Sequence, residues 1–170
     1  MSLDRPQAPD PYARMPKLPA FTLTSTDVTD GEPLDKDFSV DGASVSPQLS
    51  WSGFPAETKS FVVSCYDPDA PTPDGYWHWT LVDVPASVTS LERGAAAPDG
   101  SFELAGSGGT VGFEGAGPPE GDVPHRYYFV VHAVGEDSLG VDDSVTPTVV
   151  AFNLAFKAIG RAVLVGTYQR

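Results

Sequence analysis

Two short stretches hold most of the side chains able to do chemistry. The first, YDPDAPTPDGYWHW at residues 66–79, sets Asp67 and Asp69 around Pro68, then adds Pro71 and His78. The second, GAGPPEGDVPHRYYFVVHAV at residues 115–134, supplies Gly117, His125, Arg126, Tyr127 and His132. A carboxylate beside an imidazole fixes its tautomer and favours its protonated form, so such a pair can move a proton or hold an anion. Two aspartates in a proline-rich turn also have a simpler use, since Asp accepts local backbone hydrogen bonds while Pro fixes φ. Both readings stand on the residues alone.

Other chemistries find less support. Metal ligands would have to come from separate loops, with no H-x-E, H-E-x-x-H or cysteine pair to set their geometry. No G-x-S-x-G elbow provides a nucleophile. The single cysteine, Cys65, lies inside the apolar run SFVVSCY on the face of Phe61 and Val63, where it reads as a small buried hydrophobe. No cofactor motif is present, and the glycine-rich segment is not a phosphate loop, because no Gly-Lys-Ser/Thr follows it.

The elements that must position these groups are mostly strands. FTLTST, QLSW, SFVVSCY, WHWTLVDV, TVGFEG and RYYFVVHAV are β-rich runs separated by turn clusters without helical crossovers, the pattern of antiparallel sheets. RYYFVVHAV is apolar almost throughout and is expected to be covered on both faces. Strict alternation puts His78 opposite both Trp77 and Trp79, where a satisfied core histidine is the plain alternative. By the same rule His125 and Tyr127 share one face of their strand, while Arg126 and a structural His132 share the other. TPTVVAFNLAFKAIG predicts a helix with Thr146 as N-cap, Pro147 in the first turn and Gly160 at its end. Its apolar residues predict close packing on the sheets, and RAVLVGTY follows as a last strand. The segment from Arg93 to Val123 is long and glycine-rich; it reads as a surface loop or as a backbone nest for an anion.

Composition bounds the partners. The chain of 170 residues has a net charge of −13, from 10 Lys+Arg against 23 Asp+Glu. No basic patch is available for nucleic acid or for stable attachment to an anionic membrane. No apolar run reaches membrane-span length, and the N-terminus lacks the apolar core of a signal peptide, so a cytoplasmic location is expected. Seventeen Gly and seventeen Pro suit a turn-rich β fold. Residues 1–19 carry five of those prolines and predict an extended arm ahead of a single domain over residues 20–170.

The motifs DPDAP, WHW and GAGPPEGDVPHRYYF, with SPQLSWSGFP at residues 46–55, resemble the phosphatidylethanolamine-binding protein family, and within it the bacterial Raf kinase inhibitor-like branch. The likeness runs from about Phe21 to Tyr168. It implies a mainly β fold, a β-sandwich of two antiparallel sheets with a C-terminal helix, and a small anion pocket at one end. Its residues map to Asp67, Asp69, Pro71, His78, Gly117, His125 and Tyr127, with Arg126 as an ion-pair anchor. The ligand implied is phosphate, a phosphoryl head group, acetate or sulfate. The activity implied is non-enzymatic binding, with a kinase or protease as protein partner. A hydrolase acting on a phosphate ester through a His/Asp pair is the alternative. A homodimer is also expected, because relatives of that branch pair and the proline-rich arm offers a segment to reach across a two-fold. The chain departs from the branch before its PP pair, where SFELAGSGGTVGFEG has no Asn and carries Phe113.

Overall fold

The computed structural model describes residues 5–170, so the first four residues of the expected arm lie outside the described residues. Eight strands and one helix follow in order: β1 (Thr22–Thr24), β2 (Leu49–Ser52), β3 (Ser60–Asp67), β4 (Tyr76–Pro85), β5 (Ser90–Leu91), β6 (Phe102–Glu103), β7 (His125–Val134), α1 (Pro147–Lys157) and β8 (Ala158–Tyr168). They form a three-stranded sheet, β1-β2-β5, and a five-stranded sheet, β6-β4-β3-β7-β8, and every strand pair is antiparallel.

The sandwich core forms where the inner faces meet, around Trp51, Phe61, Val63, Trp79, Phe129 and Leu164. A smaller cluster of Val62, Val82, Val134, Val150 and Leu154 fills the space between the outer face of the large sheet and α1. With cover on both sides, β3 and β7 are buried along nearly their whole length. That explains why their sequences are continuously apolar rather than alternating. Cys65 is buried in the sandwich core, and burial pushes its thiol well above the ordinary range.

Several local expectations change. TVGFEG forms no strand; only Val111 makes an isolated bridge, to Ala105. The helix ends at Lys157 rather than Gly160, and the chain passes directly into β8. Gly160 is a strand residue opposite Ala133, where a Cβ would lie 3.0 Å from the Pro55 ring. Its lack of a side chain serves packing there, not helix termination. Thr146 occupies the N-cap position, but its side chain makes no capping hydrogen bond. Close packing of the helix holds for one stripe only: Val150 and Leu154 are buried, whereas Phe152 and Phe156 are 67% and 77% exposed.

The arm folds back along its own large sheet. Ala8 N–H donates to Asp69, Arg126 donates to the Ala8 carbonyl, and Arg161 stacks over the Tyr12 ring at 4.5 Å. Antiparallel order then places the end of β3 and the starts of β4 and β7 at one end of the sheet. Asp67, Tyr76 and His125 are the residues at those three positions.

Candidate functional site

The turn after β3 is built by the residues that suggested a turn. Asp67 Oδ1 accepts from Asp69 N–H at 2.7 Å, the local bond that a short acidic side chain makes across a proline. Its other oxygen, Oδ2, faces His125 Nδ1 at 2.7 Å. On the far side of the ring, His125 Nε2 lies 3.0 Å from Asp122 Oδ2. All three side chains are at most 3% exposed. Burial opposes charge on His125, but hydrogen bonds and proximity to the two carboxylates win, and its pKa is raised. With a carboxylate facing each nitrogen, the protonated ring can donate from both. Asp122 is held down to about 2, against its burial, by His125 and by Arg5, whose guanidinium donates to the same carboxylate at 2.9 Å.

His78 reaches the site through a fault in the strand. Tyr66 pairs with Trp77 and Cys65 with Trp79, so His78 is an extra residue on β4, a β-bulge. A bulge re-aims side chains, and here it breaks strict alternation. Trp79 enters the sandwich core, Trp77 faces the helix side beside Tyr66, and His78 packs edge-on to Tyr127 with ring centroids 5.1 Å apart. The expectation that His78 opposes both tryptophans is thus corrected: the two tryptophans oppose each other. His78 Nδ1 donates to the Glu114 carbonyl at 2.9 Å, which leaves Nε2 for the cavity. Burial dominates its titration and lowers its pKa, despite nearby Asp67 and Glu114.

The glycine-rich segment closes the site. Glu114 N–H donates to the His78 carbonyl at 2.8 Å, Gly115 N–H to Ser44 Oγ at 2.8 Å and Ala116 N–H to the Phe38 carbonyl at 2.9 Å. A run tied down this way is a wall, not a loose loop. At Gly115 the approach is so close that a Cβ would sit 2.6 Å from the Ser39 carbonyl carbon. Phe113, where the sequence departs from the branch pattern, packs against Trp79 and Phe129 and lies under the rim.

Together these elements enclose a cavity of about 290 Å³. Asp67, Pro71, His78, Gly117 and His125 line it, joined by Tyr76 and Glu114. Two other expected residues do not. Asp69 turns away, and its carboxylate accepts from Arg126 Nε at 2.8 Å, Arg126 N at 3.0 Å and Ala8 N at 2.9 Å. Arg126, on the outer face, is its ion-pair anchor. Tyr127 stands behind the lining, 1% exposed, and its hydroxyl has no hydrogen-bond partner among the described residues. The Gly117 N–H is close enough to favour the phenolate without meeting hydrogen-bond geometry, yet burial still drives the Tyr127 pKa far up.

Asp122 and Arg5 escaped the sequence reading. Asp122 had a usable signal, because an acid three residues before His125 in GDVPH can fold back onto it. Arg5, 120 residues away in the chain, had none.

A two-sheet β-sandwich with a small cavity at one end, walled by Asp, His and a glycine-proline run, is the class of protein that the fold and site define. The comparisons make the class particular. A family model for phosphatidylethanolamine-binding protein matches residues 24–169. The chain belongs to the phosphatidylethanolamine-binding protein family. YbhB of Escherichia coli K12 is 40% identical over 157 residues, covering 86% of this chain and 99% of that protein. The crystal structure of Escherichia coli YbcL, titled a new member of the mammalian PEBP family, superposes with a TM-score of 0.85. It is 38% identical and covers 88% of this chain and 98% of its own. LppC of Mycobacterium tuberculosis, named as a lipoprotein, is 32% identical over 154 residues, 91% of this chain and 75% of that protein. No helix among the described residues is long and apolar enough to cross a membrane. The lipoprotein name shows that the family does not by itself assign the cytoplasm.

Proposed function

We propose that this chain is a non-enzymatic binding protein that holds a phosphoryl group in the cavity at the end of the sandwich and acts on a kinase or protease partner through it. The observation that supports the reading most is a set of unpaired polar groups around one small space. His78 Nε2 faces the cavity and becomes a donor only if an anion draws a proton onto the ring against its burial, the Gly117 N–H donates to no protein acceptor among the described residues, and the Tyr127 hydroxyl is unpartnered. Asp67 and Glu114 line the same space, so a head group carrying both phosphate and an amine fits its charge better than inorganic phosphate does.

The non-enzymatic reading is supported by His125. Both its nitrogens face carboxylates, which leaves neither free to take a proton from a ligand. Calorimetry with phosphoethanolamine, phosphate and acetate at pH 6 and 8 tests the binding. Phosphoethanolamine is expected to bind tightest and to bind better at pH 6. His78→Ala is expected to weaken it roughly tenfold or more, the effect of losing a hydrogen bond to a charged group. Absence of saturable binding by all three ligands overturns the proposal. Turnover of p-nitrophenyl phosphate that His78→Ala abolishes would put the hydrolase in its place.

A further inference from the structure

A second cavity, of about 170 Å³, lies on the opposite face of the large sheet, between β3, β4, β7, β8, the helix α1 and the arm around Pro11–Met15. It shares no lining residue with the first. Most of its wall is apolar, from Val62, Trp77, Val150 and Leu154, and cavities of about 150 Å³ accept a benzene-sized molecule.

Its polar groups are unusual for a void under a helix. Thr80 is 1% exposed and His132 5% exposed, yet Thr80 Oγ1 and His132 Nδ1 have no hydrogen-bond partner among the described residues. Arg161 Nε donates to His132 Nε2 at 3.0 Å, so Nε2 is the acceptor nitrogen and Nδ1 carries the hydrogen. The pKa of His132, lowered to about 3 by burial and by Arg161, agrees with a neutral ring. An N–H donor and a hydroxyl are thus left unpaired in the wall, a costly arrangement for groups buried without water or ligand.

Arg161 completes the set. It lines the cavity and stacks over Tyr12, and no carboxylate of the described residues lies within ion-pair distance of it. Asp10 acts on it only at longer range. In a chain with 23 acidic residues and 10 basic ones, an arginine kept from acidic partners beside a histidine with an unpaired N–H is poised for an anion from outside.

We propose that this cavity is a second ligand site, for a small amphiphilic carboxylate whose head meets Arg161 and His132 Nδ1–H while its apolar body fills the space under α1 toward Thr80. The volume excludes a lipid chain. The unneutralised guanidinium favours a carboxylate over a neutral apolar guest, and the apolar wall favours a ring or branched body over acetate.

Benzoate is the probe, titrated into the full chain and followed by ¹H–¹⁵N amide shifts, with benzyl alcohol and inorganic phosphate as controls. Benzoate is expected to saturate and to move the amides of Thr80, His132 and Arg161. Benzyl alcohol is expected to bind at least about tenfold more weakly, because it lacks the charge. Arg161→Gln should remove that difference, and Ala151→Leu, which fills the space from the helix, should abolish benzoate binding. Neither variant should alter the response of His78 and Gly117 to phosphoethanolamine, which separates this site from the first. Benzoate that fails to saturate, shifts confined to the first cavity, or wild-type affinity in both folded variants would overturn the proposal and leave a space occupied by water.

Discussion

His125 Nδ1 and Asp67 Oδ2 lie 2.7 Å apart at the buried end of the sandwich, with Asp122 closing on the other side of the ring. The pair joins the first residue of β7 to the last residue of β3, so the charge on His125 is part of what fixes the cavity wall.

This pairing sets a pH dependence of stability. An unfolded His titrates near 6.5. In the fold, Asp67 and Asp122 outweigh burial and raise the value for His125. The stabilisation is therefore complete below about pH 6.5 and is lost as pH rises through the folded pKa. Urea midpoints between about pH 5.5 and 9 should show the advantage of wild type over His125→Gln shrinking toward alkaline pH. His78 and His132 titrate in both proteins and cancel in the difference. A gap that grows with pH would contradict the assignment.

The long elements were readable because β3 and β7 are buried almost throughout and β8 alternates with a buried face. β3, β7 and β8 are β-branched and aromatic runs, and the order of the two motifs put Asp67, His78 and His125 at one end. The parts that were not readable depend on register and on distant partners. One extra residue in β4 turned His78 to the face of Trp79, and no alternation rule detects a bulge. The segment TVGFEG has strand composition, but its backbone N–H groups are committed to the His78 carbonyl, the Leu104 carbonyl and Ser44 Oγ rather than to a continuous strand ladder. Asp69 looked like a cavity residue by its motif; the Arg126 guanidinium and the Ala8 amide draw it to the outer face.

Asp69 should prove a structural anchor. Its side chain is fully buried and that of Arg126 is 18% exposed. Hydrogen bonds from Arg126 and Ala8 hold the Asp69 carboxyl below its usual range, against burial. Asp69→Ala leaves the guanidinium unpaired and is expected to cost about 3–5 kcal/mol. It should also loosen the arm, so that trypsin cleaves faster after Arg14, while His78-dependent ligand binding survives in the folded fraction. Unchanged stability would show that the pair is dispensable.

The two cavity-wall glycines should respond differently to alanine. At Gly115 the added Cβ meets backbone, 2.6 Å from the Ser39 carbonyl carbon. Backbone cannot step aside, so Gly115→Ala is expected to cost about 1–3 kcal/mol, the usual range for overpacking. At Gly117 the nearest atom is Val40 Cγ2 at 3.1 Å, on a side chain that is 45% exposed and free to turn. Gly117→Ala should therefore fold nearly as well as wild type, and its effect should appear in ligand affinity. Thermal melts of the two variants side by side decide this, and equal losses would refute the contrast.

Tyr127 tests whether the first cavity is built for a ligand at the expense of the empty protein. Its hydroxyl is buried and unpartnered, and leaving such a group unsatisfied costs about 1–3 kcal/mol. Tyr127→Phe removes that cost and keeps the ring against His78 at its 5.1 Å spacing. The ligand-free variant should melt at a higher temperature than wild type. If a phosphoryl group draws the hydroxyl, the Gly117 N–H and His78 together, the same variant should bind phosphoethanolamine more weakly, by roughly tenfold for one lost bond to a charged group. Stability and affinity then move in opposite directions from the loss of one oxygen. A merely structural hydroxyl, paired by water in the empty protein, would instead give a less stable variant with unchanged affinity. Melting curves with and without ligand, on wild type and Tyr127→Phe at pH 6, distinguish the two.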